Sequence, residues 1–347
     1  MDILKAFFYD CSYHQHLLAN MTKIRYDISR KAGVNMNYLN AEHTEAAFKQ
    51  IFMSEYFVDK SRMIEKIDEM LDIGERYVCI ARPKGFGKTC IASMLGAYYR
   101  KGYDSRKLFD HLKVATCRQY GLHQNKHQVI YIDFRKDLNP GRNAMDHIQW
   151  VIAKLKDDIK NTYGISMKDA SLDRVLEKTK DSFIFILDHW DDILDQDFMC
   201  LEDKKAYLRF LRNLLKDQPY VDFAFLTGVV PILKYNGHAD LNIFDEYTLM
   251  NDSIYDSYFG FHEEEVKKLC ADHSNIAYHE LKTWYSGYHL YNGENLFHPD
   301  SVMEALRDHQ CIDFWKETRQ WSYFVDCMKQ GKITEEDIVQ LVSGTLY

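Results

Sequence analysis

A lysine and a threonine placed directly after closely spaced glycines form a combination that grips phosphate, and it occurs here in VCIARPKGFGKTCIASML, residues 78–95. Such a loop works because backbone N–H groups wrap phosphate oxygens while a helix N-terminus offers partial positive charge. In the pattern G-x-x-x-x-G-K-[ST], Gly87, Lys88 and Thr89 fill the second half. Lys88 would reach the terminal phosphates of a nucleotide, and the Thr89 hydroxyl would ligate Mg2+. Arg82 stands where the pattern asks for glycine, whereas Gly85 and Gly87 keep the loop permissive. The bland reading of the same residues is an ordinary strand, turn and helix with a lysine at the helix start.

Two further strand ends bear on the choice. FIFILDHWDD (183–192) closes an apolar run on Asp188, which would hold Mg2+ through water. A nucleotide-hydrolysing sheet usually follows that aspartate with a glutamate that activates the attacking water, and here the next residue is His189. Loss of a positioned base costs about 10² to 10⁴ in rate. Histidine can itself serve as a base near neutrality, and Asp191 or Asp192 is the alternative. The expectation is nucleotide binding with slow or absent hydrolysis, against a bland reading in which His189 merely packs at a strand end. FAFLTGVVP (223–231) puts Thr227 at the third strand end, placed to sense the terminal phosphate.

These residues need a sheet to hold them. RYVCIA (76–81), QVIYIDF (128–134), SFIFILD (182–188) and DFAFLTG (222–228) are short apolar runs rich in β-branched and aromatic residues, separated by helical patterns such as 144–163 and 202–216. Continuous hydrophobic strands alternating with helices predict a mostly parallel sheet covered on both faces. Before it, EHTEAAFKQIF (42–52) and SRMIEKIDEMLDIG (61–74) read as amphipathic helices. After about residue 260 the pattern is helical, with an aromatic-rich insertion around 284–298. The predicted organisation is an N-terminal helical segment (1–54), a P-loop α/β domain (55–255) and a smaller helical, lid-like subdomain (256–347).

In order and number, the motifs resemble the AAA-ATPase-like proteins, a P-loop group common in bacteria and often joined to a C-terminal PD-(D/E)XK nuclease. The resemblance rests on YFVDKSRMI, ARPKGFGKTCIASML, FLTGVVPILK, IFDEYTLM, YFGFHEEEVKKL, WYSGYHLYNGENLFHPDSV and DFWKETRQWS, and covers roughly residues 55 to 345. In that family arginine opens the loop, so Arg82 fits the resemblance. It implies a nucleotide-binding set of Arg82, Gly85, Phe86, Gly87, Lys88, Thr89 and Cys90 with Thr227, a metal pair of Thr89 and Asp188, and His189 or Asp191 at the catalytic position. ATP and Mg2+ are the implied ligands, although the loop grips phosphate and does not read the base. His189 departs from the family's Asp-Glu-Tyr-Asp. No strand pair carrying an Asp and a Glu-x-Lys follows residue 300, so nuclease activity is not expected. The competing reading is an interaction module that keeps the fold without turnover. A small-molecule kinase would need an acceptor pocket and a lid arginine cluster, and neither is found.

Composition sets the outer bounds. Hydrophobic residues make up 46 % and the net charge is −8, which excludes a broadly basic nucleic-acid surface. Nucleic acid therefore enters only through the company that family relatives keep, and a protein partner or a second copy is the more natural associate. The eight cysteines are scattered without a C-x-x-C pair, which fits a reducing cytoplasm. No apolar run is long enough to span a membrane. The triplet Glu263–Glu265 before Lys267 and Lys268 reads as a dipole-matched helix start. Trp284, Tyr285, Tyr288 and Tyr291 read as core. Arg135 and Lys136 read as a solvated strand end. His14 with His16 and Arg319 are weak candidates for metal and phosphate.

Overall fold

The computed structural model describes residues 38–136, 143–167, 169–232, 241–273 and 276–312. The His14–His16 pair and Arg319 lie outside the described residues.

Among the described residues, two helices precede the sheet, α1 (Glu42–Phe52) and α2 (Met63–Ile73). α2 ends on Gly74, which takes the left-handed φ of 76° that closes a helix without a Cβ penalty. Strand β1 (Tyr77–Ala81) then leads through the loop into α3 (Lys88–Tyr99). There follow β2 (Gln128–Asp133), α4 (Ala144–Tyr163), α5 (Leu172–Thr179), β3 (Phe183–Asp188), α6 (Leu201–Leu215), β4 (Val221–Gly228) and β5 (Asp245–Tyr247). All strand pairings among β1–β5 are parallel, in the spatial order β2-β3-β4-β1-β5. The four apolar runs become β1 to β4 as expected. β5, only three residues long, has no hydrophobic pattern of its own and was not foreseen.

Every residue of β2 and β3 is buried, because helices cover both faces. Ile130, Ile132, Phe185 and Leu187 pack with Val151, Leu155 and Leu211 of α4 and α6. The alternate residues Val129, Tyr131, Ile184 and Ile186 pack with Ile64 and Ile67 of α2 and Leu95 and Tyr98 of α3. Two-residue alternation along a strand thus feeds two separate cores. α1 lies so close to α3 that a Cβ on Gly96 would come within 2.9 Å of the Thr44 methyl.

The C-terminal part contains α7 (Glu263–His273), α8 (Tyr278–Tyr285), the antiparallel pair β6 (Ser286–His289) and β7 (Asn295–Phe297), and α9 (Pro299–Asp308). Its core gathers Val266, Leu269, Leu281, Tyr285, Phe297 and Val302. The aromatic insertion is the β6–β7 hairpin. Tyr285 is buried and Tyr288 half-buried, as core packing predicts, but Trp284 and Tyr291 are exposed. The acidic start of α7 is structural: Lys267 pairs with Glu263 and Glu264 at 2.9 Å, and Glu265 caps the His262 amide.

The segment YFVDKSRMI ties these parts together. Lys60 reaches Glu265 at 2.7 Å and the Ser257 carbonyl at 2.8 Å. Asp59 accepts from the Lys113 amide, and the Ser61 hydroxyl accepts from the Val114 amide. Among the described residues, no helix is long and apolar enough to cross a membrane.

Candidate nucleotide site

The loop between β1 and α3 explains its own sequence. The Arg82 amide continues the ladder by donating to Gly228 O at 3.1 Å, and Arg82 is not among the residues with positive φ. A Cβ is therefore tolerated at position 82, and glycine is not required. Gly85 and Gly87 do adopt left-handed φ values of 75° and 82°, and Gly87 is the N-cap of α3. The Arg82 guanidinium is spent on the framework. It forms a fully buried ion pair with Asp252 and donates to the carbonyls of Ala81 (2.9 Å) and Tyr247 (2.8 Å). Phe86 is likewise framework, buried with Leu290 and Leu296 and edge-on to Tyr288 at 4.7 Å.

Lys88 is buried at the start of α3, with its ammonium donating to Arg82 O and Pro83 O, both at 2.7 Å. Burial lowers its pKa to about 8, against the pull of Asp188, Asp191 and Asp192. At neutral pH the group stays mainly charged, held on these two carbonyls.

The strand ends meet this loop in register. Asp133 lies beside Asp188, Asp188 beside Thr227, and Thr227 beside Ile80. The Thr227 hydroxyl donates to Asp188 Oδ1, and the Tyr131 hydroxyl donates to Asp188 Oδ2 at 3.3 Å. His189 has a φ of 55°, a conformation that costs a non-glycine residue about 1 kcal/mol or more. Its Nδ1 lies 2.9 Å from Asp133 Oδ1 and 3.3 Å from Asp188 Oδ2. Its Nε2 lies 3.3 Å from Thr89 Oγ1. An Nδ1 facing two carboxylates carries a proton and donates to them. Burial alone would push Asp133 up, but the hydrogen bond and charge of His189, with Lys136 and Arg135, hold it below its ordinary value. Asp191 is committed elsewhere. Its Oδ2 accepts from the amides of Val229 (2.7 Å) and Val230 (2.8 Å), and burial raises its pKa.

Residues 45–236 match the family described as "AAA-ATPase_like: Predicted AAA-ATPase". The chain belongs to the AAA-ATPase-like family. The P-loop α/β fold expected from the sequence is the fold it has, and family membership brings an ATPase-like, nucleotide-binding role. A comparison with curated proteins gives no match. Among solved structures the chain is similar to the Aeropyrum pernix ORC2 protein, determined as ADPNP and ADP complexes, at 13 % identity and a TM-score of 0.36. That alignment covers 64 % of this chain and 54 % of the other, so the chain spans about half the length of that protein. It is also similar to Drosophila ORC bound to AT-rich DNA and Cdc6, at 12 % identity and a TM-score of 0.30, over 78 % of this chain and 97 % of that one. Both likenesses are too loose to bear on function.

In this AAA-ATPase-like chain the phosphate loop also meets α9, from 200 residues further along the sequence. His298 Nε2 lies 2.9 Å from Lys84 O, and its ring stands edge-on to Phe86 at 5.6 Å. A Cβ on Gly85 would come within 2.6 Å of the His298 ring and 2.8 Å of the Asp300 carboxylate. Gly85 is therefore needed both for its φ and for this close approach. Asp300 and Cys90 are exposed to solvent, although the surrounding protein partly desolvates both. Burial, with the charges of Asp300 and Asp188, pushes the Cys90 thiol up to about 11, so it stays protonated. Burial raises Asp300, although His298 and Lys88 pull it down.

Lys88, Thr89, Asp188, His189 and Thr227 are thus brought together, with Cys90 beside them. Arg82, Phe86 and Asp191 are taken up by framework contacts. Sequence reasoning missed Asp133, Asp252, His298 and Asp300. Asp133 carried a usable signal, since YID ends its strand as ILD does. The other three act through long-range contacts that no local pattern announces.

Proposed function

We propose that the chain binds Mg-ATP in the recess between the phosphate loop and α9, and that it hydrolyses ATP slowly or not at all. The observation that carries this reading is the meeting of Lys88 and Thr89, at the N-terminus of α3, with Asp188 at the end of β3, bridged by the 3.3 Å contact of Thr89 with His189. Lys88 would exchange its two loop carbonyls for phosphate oxygens. Thr89 and Asp188 offer the hard oxygen donors that suit Mg2+, whose role is to neutralise charge on the phosphates. Thr227 would sense the terminal phosphate through its hydrogen bond to Asp188.

Two observations favour weak turnover. Both ring nitrogens of His189 are engaged, and one oxygen of Asp191 is held by two backbone amides. An interaction module that binds nucleotide without consuming it is the second reading supported by the same contacts. Residues 256–347 would act as the cover of the site, with α9 sensing its occupancy, and the boundary near residue 255 belongs to this proposal.

Ligand-linked stability tests the binding claim. Mg-ATP at a hundred times its Kd should stabilise the wild-type chain against urea by about 2.7 kcal/mol. Lys88→Ala should show no such gain, and an equal gain in both proteins would move the nucleotide away from this loop. Asp300→Asn removes a negative charge from the recess, and affinity for ATP should rise about fivefold, near 1 kcal/mol after screening. A fall in affinity would instead make Asp300 a ligand of the bound cation.

A further inference from the structure

Three buried groups at the ends of β2 and β3 form a cluster that the nucleotide reading uses only in part. Asp133, Asp188 and His189 each offer one donor atom, and these atoms lie within 4.8 Å of one another. The imidazole nitrogen stands 2.9 Å from one carboxylate and 3.3 Å from the other. Donors on one small dication, at bond lengths of about 2.1 Å, are separated by about 3.0 to 3.4 Å, so the spacing suits coordination as well as hydrogen bonding.

Charge points the same way. Asp133 and Asp188 are paired in register on adjacent strands and are both buried, an arrangement that repels unless a cation stands nearby. Asp133 Oδ2 accepts no hydrogen bond and has the half-exposed Lys136 ammonium at 3.4 Å. His189, held at a strained φ of 55°, is turned so that its ring faces both carboxylates.

We propose that Asp133, Asp188 and His189 form a binding site for a first-row transition-metal dication, such as Mn2+, Co2+ or Zn2+, that fills without nucleotide. An imidazole ligand selects such ions over Mg2+, which prefers all-oxygen surroundings. Metal on Nδ1 moves the ring proton to Nε2, which then donates to Thr89 Oγ1, so His189 with metal bound is no base. The site shares Asp188 with the proposed Mg-ATP reading, but it needs neither Lys88 nor nucleotide.

The test uses the full chain stripped by chelator and titrated with Co2+ or Mg2+ in the absence of nucleotide, followed by calorimetry and visible absorption. One equivalent of Co2+ should bind at least about tenfold more tightly than Mg2+. His189→Gln and Asp133→Asn should each weaken Co2+ binding about tenfold or more. Lys88→Ala removes a positive charge near Asp188 and should bind Co2+ no more weakly than wild type, which separates this site from the nucleotide site. Mn2+ bound to wild type should show imidazole-nitrogen coupling by electron spin-echo spectroscopy, a readout that does not depend on either variant folding. Co2+ held no more tightly than Mg2+, no nitrogen coupling in wild type, or Co2+ affinity unchanged in both variants would each overturn the proposal.

Discussion

His189→Glu is expected to raise phosphate release at saturating Mg-ATP by about 10² to 10⁴ over wild type, the usual contribution of a positioned base. Wild type should lie close to a Lys88→Ala blank. Position 189 follows Asp188 at the strand end, and its ring already reaches Thr89, so a carboxylate there stands at the edge of the proposed phosphate site. The histidine is a poor substitute because Nδ1 is committed to Asp133 and Asp188. The exchange also sets a third carboxylate beside two buried ones, which raises pKa values and lowers stability unless a cation is bound. The gain should therefore depend more steeply on Mg2+ than it does in ordinary hydrolases. Wild type turning over well above the blank would show that His189 works as a base through Nε2.

Asp252→Ala is expected to destabilise the fold by about 3 to 5 kcal/mol, the cost of leaving a buried charge without its partner. The side chains of Arg82 and Asp252 are both fully buried. Asp252 Oδ1 also accepts from the amides of Ile254 (2.8 Å) and Tyr255 (2.7 Å), so the segment beyond β5 loses its anchor as well. The loss should be read from denaturant midpoints, with Arg82→Met/Asp252→Leu recovering part of it because no charge is then stranded. A single variant within 1 kcal/mol of wild type would mean that the pair is incidental, and that Arg82 is kept for contact with phosphate.

Much of the fold could be read from the sequence because strand burial is written in residue type. FIFILD is apolar at every position before its aspartate, and it is buried on both faces. Asp245–Tyr247 could not be read this way, since a three-residue edge strand has neither length nor pattern, and its place comes from pairing with β1. The hairpin of residues 286–297 was hidden by aromatic residues that suit helix and strand alike.

At the site, Lys88, Thr89, Asp188 and Thr227 were legible because each sits at a strand or helix end with a known phosphate or metal chemistry. Arg82 was legible as a departure from glycine and, through the family resemblance, as the arginine that opens the loop. Its reason, a slot closed by Asp252, depends on a residue 170 positions away. His298 and Asp300 were quoted in a motif but given no role, since only folding brings α9 onto Gly85.

Equilibrium dialysis of labelled ATP against wild type and Lys88→Ala, each with and without Mg2+, tests the central claim most directly. The expected result is one ATP per chain for wild type, tighter with Mg2+, and binding lost in Lys88→Ala at the same concentration. ATP held equally by both proteins, or by neither, would contradict it.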